Sequence, residues 1–184
     1  MKNTISIFKE SSSKLKNISC LTVCSMLIAL SVVLGSFSIQ LSQNIRISFT
    51  FIPIAIAGYL FGPIVAGLAG GSVDIINFLL HPTGPFAPGL TLCAILAGVV
   101  HGLFLYRKPL SILRVGGSLF INTVFISVLL RTYILSLLYG MPFVANLITR
   151  LPVQAIKLPI NILILYVVLR ALIQSNIFRL LKQQ

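Results

Sequence analysis

The sequence predicts an all-α integral membrane protein: a six-helix bundle with cytoplasmic N- and C-termini and a ligand cavity on the outer side. Three observations predict it. Of 184 residues, 57% are apolar and only 9% charged, with a mean hydropathy of +1.05, whereas a soluble domain carries about 25% charged residues. The apolar residues gather into runs that approach the roughly 20 residues a bilayer crossing needs. The 14 Lys and Arg residues, set against only Glu10 and Asp74, sit mainly at the ends of those runs, as orientation by positive charge requires. A soluble enzyme and a free nucleic-acid binder are thereby excluded, and one domain over residues 1–184 is expected.

Residues 1–17 read as a basic cytoplasmic segment, with Lys2, Lys9, Lys14 and Lys16. The apolar run Ile18–Ile39 is too long for the core of a cleaved signal peptide and reads as a retained first span. Residues 40–50 turn polar and then alternate through Arg46, Ile47, Ser48 and Phe49, a period of two that predicts an extended, lid-like segment. A second helix, Phe51–Phe61, is short for a full crossing at about 16 Å. It stops at Gly62-Pro63, glycine suiting the position after one helix and proline the start of the next. The third helix runs to Leu80. Three prolines and two glycines between residues 82 and 89 forbid regular structure there. The fourth helix covers Leu90–Tyr106, a basic connector holds Arg107, Lys108 and Arg114, and the fifth helix covers Val115–Leu138. The sixth runs from Leu147 to Ile173, bent by Pro159. Six passes return the C-terminus to the inner side and place ten cations there. Arg46, Arg131, Arg150 and Lys157 remain.

These four and Asp74 map to the outer half, where ionisable groups are costly and mark a ligand path or a partner. Arg150, Gln154, Lys157 and Asn161 fall within about 60° of one another on the sixth helix, and Asp74, Asn77 and His81 repeat the pattern on the third. Asp74, Arg131 and Lys157 each lie about 10–12 Å below the outer mouth at the helical rise. One acid against several cations predicts an electropositive pocket for an anionic small molecule, gripped through its carboxylates. A structural ion pair of Asp74 with Arg131 or Lys157 would account for one cation only. Phe49, beside Arg46, and Phe86, in the outer loop, are candidates to stack on a ring.

Cys20, Cys24 and Cys93 lie in apolar runs without metal spacing and read as packing residues. His81 and His101 fall on opposite sides of the membrane, so no metal site is expected. Neither a catalytic group nor a cofactor is expected, and no phosphate-binding loop is present for ATP hydrolysis. Small residues four apart (Ala66-Gly70, Gly67-Gly71, Ala94-Gly98-Gly102) permit close helix contact. On the first helix the same spacing at Ser25-Ala29 and Ser31-Gly35 suits docking to another membrane subunit.

The run from Arg46 through Phe49-Thr-Phe-Ile-Pro to Gly62-Pro63 resembles the S components of energy-coupling factor (ECF) transporters. The stretch from Asp74 to His81-Pro-Thr-Gly-Pro-Phe86-Ala-Pro-Gly-Leu-Thr91 is similar to their folate-specific branch. So are Arg131-Thr-Tyr-Ile-Leu-Ser and Arg150-Leu-Pro-Val-Gln154-Ala-Ile-Lys157-Leu-Pro-Ile-Asn161. The resemblance implies a vitamin-binding subunit of the bacterial cell membrane that takes up folate. It also implies a T-type transmembrane subunit and two cytoplasmic ATPase subunits as partners. Asp74 would read the pterin, Arg131 and Lys157 would lie beside the ring or aminobenzoyl unit, and Arg46 and Arg150 would hold the glutamate. The alternatives are the same architecture with another anionic vitamin or a queuosine-type precursor, an intramembrane transferase, and a purely structural subunit. A single embedded acid argues against the metal-dependent enzyme.

Overall fold

The computed structural model describes residues 4–37, 39–42, 45–82, 87–140 and 143–174, leaving undescribed within them the side chains of 4–6, 39–42, 45–47, 139, 145, 146 and 149. Helix α1 (Thr4–Lys14) precedes α2 (Ile18–Ser36), which begins at Asn17, whose side-chain oxygen accepts the Ser19 N–H at 3.1 Å. Two short antiparallel strands follow, β1 (Ile39–Ser42) and β2 (Ile45–Ile47), pairing Ile39 with Ile47 and Gln40 with Arg46. Then come α3 (Phe51–Phe61), α4 (Pro63–Leu80) and α5 (Pro88–Leu105). Helix α6 (Ile112–Ile121) passes into a π-helical segment, Asn122–Leu130, and on into α7 (Arg131–Tyr139). Helix α8 (Phe143–Gln174) closes the described chain. Five helical stretches are long and apolar enough to cross a membrane: Ile18–Ser36, Pro63–Leu80, Pro88–Leu105, Ile112–Leu138 and Arg150–Gln174; α3 is apolar but shorter. Large apolar side chains such as Ile18, Met26, Leu79, Leu113, Leu137 and Leu163 are exposed along them, as a lipid-facing surface demands.

Helices α4 and α5 pack backbone to backbone. A Cβ added to Gly98 would stand 2.1 Å from the Ala66 carbonyl oxygen, one on Gly70 2.5 Å from the Ala94 oxygen, and one on Gly102 2.4 Å from Pro63 Cα. The Ala66-Gly70 and Ala94-Gly98-Gly102 ridges are thus apposed in antiparallel register, helix against helix. Apolar residues complete the core in two clusters. Ala55, Ile56, Leu105, Val115, Leu119, Leu165 and Leu169 join α3, α5, α6 and α8. Cys20, Cys24, Phe61, Val65 and Ala69 join α2, α3 and α4. All three cysteines are buried and free of disulfides.

The N-terminal segment, for which the sequence reading specified no element, forms helix α1. Helix α1 lies across the α3–α4 turn, where Gly62 sits at φ +97° and offers no capping side chain. Ser11 supplies the cap from a distance. Its buried hydroxyl donates to the Phe61 carbonyl at 2.9 Å and accepts the N–H groups of Ile64 (3.1 Å) and Val65 (3.4 Å), donors that a helix start leaves without intrahelical partners. Lys14 Nζ donates to the Leu60 carbonyl at 3.3 Å and lies over the Phe61 and Tyr106 rings. Glu10 pairs with Arg107 and accepts the Tyr106 hydroxyl at 3.2 Å. Burial, reinforced by the Arg107 charge, holds the Lys14 ammonium below the usual lysine range. Burial, helped by Glu10, pushes the Tyr106 phenol up. This clasp marks one end of the bundle and the β-hairpin marks the other. The first span also ends earlier than expected, at Ser36, and Ile39 starts the hairpin. The extended lid expected over 40–50 is a hairpin as far as Ile47.

The backbone contact at Gly98 sets a sharp expectation. Gly98→Ala puts a methyl group into the Ala66 carbonyl and destabilises by about 1–3 kcal/mol, read as a lowered unfolding midpoint in detergent. Gly117→Ala, whose new Cβ would meet nothing closer than Phe104 at 3.5 Å, leaves the midpoint within a degree or two, on the order of experimental error.

Candidate ligand-binding site

Toward the hairpin end of α4 the small-residue contact with α5 gives way to a polar one. Asp74 stands one helical turn beyond Gly70, and Thr91 stands three residues before Ala94. The Thr91 hydroxyl donates to Asp74 Oδ2 at 2.9 Å. Both are half-buried. The bond tethers Oδ2 and leaves Oδ1 and a second lone pair of Oδ2 for other donors. Among the described residues Asp74 forms no ion pair with Arg131 or Lys157; the salt bridge there is Glu10–Arg107, at the clasp end. Asp74 is therefore not the helix-joining ion pair that composition alone allows.

Three cations gather on α7 and α8. Arg131 opens α7 and is exposed, Arg150 on α8 is 7% exposed, and Lys157 two turns further along is half-buried. Arg131 lies close enough to repel both Arg150 and Lys157, and Arg150 repels Lys157 as well. Cys93 on α5 lies within electrostatic range of both Asp74 and Arg131, so these two residues flank one stretch of α5. Gln154, on the face shared by Arg150 and Lys157, donates through Nε2 to Ser127 Oγ at 2.6 Å. Asn161 continues that face, half-buried. Chemically, the arrangement pairs one oriented acceptor with an excess of positive charge in a low-dielectric setting, which suits a ligand with donors at one end and carboxylates at the other.

The remaining expected residues are disposed as follows. Asn77 turns toward α2: its Nδ2 donates to the Val73 carbonyl at 2.9 Å. Its buried Oδ1 would be 2.3 Å from a Cβ on Gly35. It packs into the α2–α4 contact, its amide bonded back to its own helix while its oxygen fills the space that Gly35 leaves. His81 is exposed at the end of α4. Phe49 is 41% exposed just before α3. The Arg46 backbone lies in β2, while its side chain and the whole of Phe86 fall outside the described residues. The expected docking stripe on α2 is divided. Ser25 and Ala29 are exposed, but Ser31 is fully buried, donating to the Thr50 carbonyl at 2.8 Å, and Gly35 is buried against Asn77. The two pairs are six residues apart, which turns one to the outside and the other into the bundle. Thr91 and Ser127 were not anticipated; a lone hydroxyl in an apolar helix commonly bonds its own backbone, and sequence gives no sign that it reaches a neighbour. Among the described residues no group of three His, Cys, Asp or Glu could hold a metal ion.

Comparison with known proteins gives the family. Residues 19–169 match the family described as "ECF transporter, substrate-specific component". The chain is 34% identical over 152 residues to the folate transporter FolT of Clostridium novyi (strain NT), covering 83% of this chain and 88% of that one. It is 32% identical over 151 residues to FolT of Streptococcus mutans serotype c, covering 78% and 81%. A solved structure described as the crystal structure of FolT bound with folic acid superposes with a TM-score of 0.76 at 35% identity, covering 82% of this chain and 92% of that chain. The chain belongs to the substrate-specific components of ECF transporters and is a multi-pass membrane transport subunit, not an enzyme.

Proposed function

We propose that this chain is the folate-binding subunit of a bacterial ECF vitamin transporter, forming a single domain over residues 1–184. The observation that carries the reading is the Asp74 carboxylate, bonded by Thr91, on one side of Cys93, with Arg131 on the other and Arg150 and Lys157 grouped around Arg131. The folate-transporting relatives and the folic-acid complex support it. A pterin presents a ring N–H and an adjacent amino group, two donors that one carboxylate accepts side by side. The glutamate tail brings two carboxylates to a place where cations outnumber acids. In this reading Asp74 holds the pterin and Arg131 and Lys157 lie beside the ring and aminobenzoyl unit. Arg150 and Arg46 take the glutamate, Phe49 and Phe86 cover the ring, and Gln154, Asn161 and His81 line the approach.

The membrane segments are six: α2, α3, α4, α5, the α6–α7 rod and α8. Lys9, Lys14, Lys16, Arg107, Lys108, Arg114 and Arg170 belong to the clasp end, which the positive-inside rule assigns to the cytoplasm together with both termini. The hairpin end and its cavity then face outward. Transport requires partners of the kind the family implies, a T-type transmembrane subunit and two cytoplasmic ATPase subunits. The exposed Ser25 and Ala29 face on α2 is the surface we assign to the T-type subunit, small residues there allowing close helix approach.

Two experiments bear on this. The chain has no tryptophan, so titration calorimetry of the purified protein is the direct readout. Folate should saturate one site while a neutral vitamin gives no heat. Asp74→Asn should weaken folate by at least about tenfold, and Thr91→Val by about fivefold, the sizes expected for losing a charged acceptor that meets the ligand and a bond that only positions it. Unchanged affinity in Asp74→Asn would remove the carboxylate from the site. In the second, Ala29→Trp should abolish cellular folate uptake while leaving folate binding to the purified subunit intact. Uptake that persists, or binding that disappears as well, would assign docking to another face.

A further inference from the structure

Gln154 occupies a peculiar place. It stands on α8 between Arg150 and Lys157, yet its amide is committed sideways, to Ser127 Oγ at 2.6 Å. Ser127 belongs to the π-helical segment, four residues before Arg131. One hydrogen bond thus joins α8, which carries Arg150 and Lys157, to the π-helical segment that runs directly into Arg131 at the start of α7.

The surroundings give that bond a task. Arg131 repels Arg150 and Lys157, so electrostatics push α7 and α8 apart at this level. Neither backbone is well placed to resist. Pro152 and Pro159 lie inside α8 on either side of Gln154 and Lys157. Each lacks the N–H that would bond four residues back, which leaves the carbonyls of residues 148 and 155 without that helical partner. The facing element is π-helical over nine residues, a wider turn that occurs mostly in short pieces and frequently at functional sites. Two softened helices bearing like charges need a lateral tie to keep a fixed spacing. Ser127 and Gln154 form one.

We infer that Ser127 is a positioning residue for ligand binding. Its hydroxyl, acting through Gln154, holds Arg131 against Arg150 and Lys157 at the spacing that the carboxylates of an anionic ligand bridge. The inference rests on the reading of this cluster as the folate site. Ser127 itself need not touch the ligand.

The test is a double-mutant cycle by calorimetry, titrating folate into the full-length protein in detergent. Wild type, Ser127→Ala, Gln154→Ala and the double variant are compared, with Ser127→Thr as the hydroxyl-retaining control. Ser127→Ala is expected to weaken folate about five- to tenfold, the size of one lost hydrogen bond. Ser127→Thr should restore affinity to within about twofold, and the double variant should bind no more weakly than Gln154→Ala alone, since residues acting through one contact are non-additive. Wild-type affinity in Ser127→Ala overturns the inference, and so do losses that simply add in the double variant. If Ser127→Ala yields no folded protein, Ser127→Val against Ser127→Thr isolates the same hydroxyl at constant shape, and equal affinities overturn the inference. A wild type that binds no folate overturns the site reading itself, and the inference with it.

Discussion

The apposition of α4 and α5 sets the geometry on which the rest of the molecule depends. Pro63 meets Gly102, Ala66 meets Gly98, Gly70 meets Ala94, and Asp74 meets Thr91. The successive contacts form an antiparallel ladder of turns, with small residues on the lower rungs and a polar pair on the uppermost. Without side chains between the helices, their backbones approach closely enough for a threonine hydroxyl to reach the carboxylate. A carboxylate at membrane depth is costly to hold. The ladder makes it tolerable by giving it one fixed donor and leaves its remaining acceptor sites for a ligand.

The chain's two acids divide the molecule between them. Glu10, at the clasp end, is consumed by structure: it pairs with Arg107 and accepts from Tyr106, while Ser11 one residue on caps α4 and ties it to α3. Asp74, toward the hairpin end, is held by a neutral hydroxyl and shares the neighbourhood of Cys93 with Arg131. The same functional group, a carboxylate, thus closes one end of the bundle and keeps the other chemically open. Locking the α1 end also fixes the start of α4, and through the ladder the height at which Asp74 meets Thr91. Binding at one end is in this way referred to a rigid base at the other.

Much of this was legible in the sequence. The long spans, the Gly62-Pro63 turn and the cation excess near Asp74 follow from hydropathy, turn chemistry and charge counting, since lipid imposes those patterns directly. The unbroken runs around Arg46, His81, Arg131 and Arg150 carried the family as well. Helix α1 was not legible, because an eleven-residue polar helix is marginal alone and forms against the α3–α4 turn through Ser11. The π-helical segment left no signature in an apolar run. Helical spacing gave the angular positions of Asn77, Ser31 and Gly35 but not which helix would be there to meet them, so Asn77 went to α2 and the docking stripe was divided. Thr91 and Ser127 stayed hidden because their roles exist only once two helices are in contact.

The most direct test is the affinity of the wild-type protein for a ligand series in which carboxylates are removed one step at a time: folate, then pteroate, then 6-hydroxymethylpterin. If Asp74 reads the pterin while Arg131, Arg150, Lys157 and Arg46 answer the tail, affinity falls at each step. Added salt should then weaken folate more than the uncharged pterin, because only folate draws on the cation cluster. Equal affinities across the series, or the same salt dependence for all three, would contradict it and leave the cluster without a part in recognition.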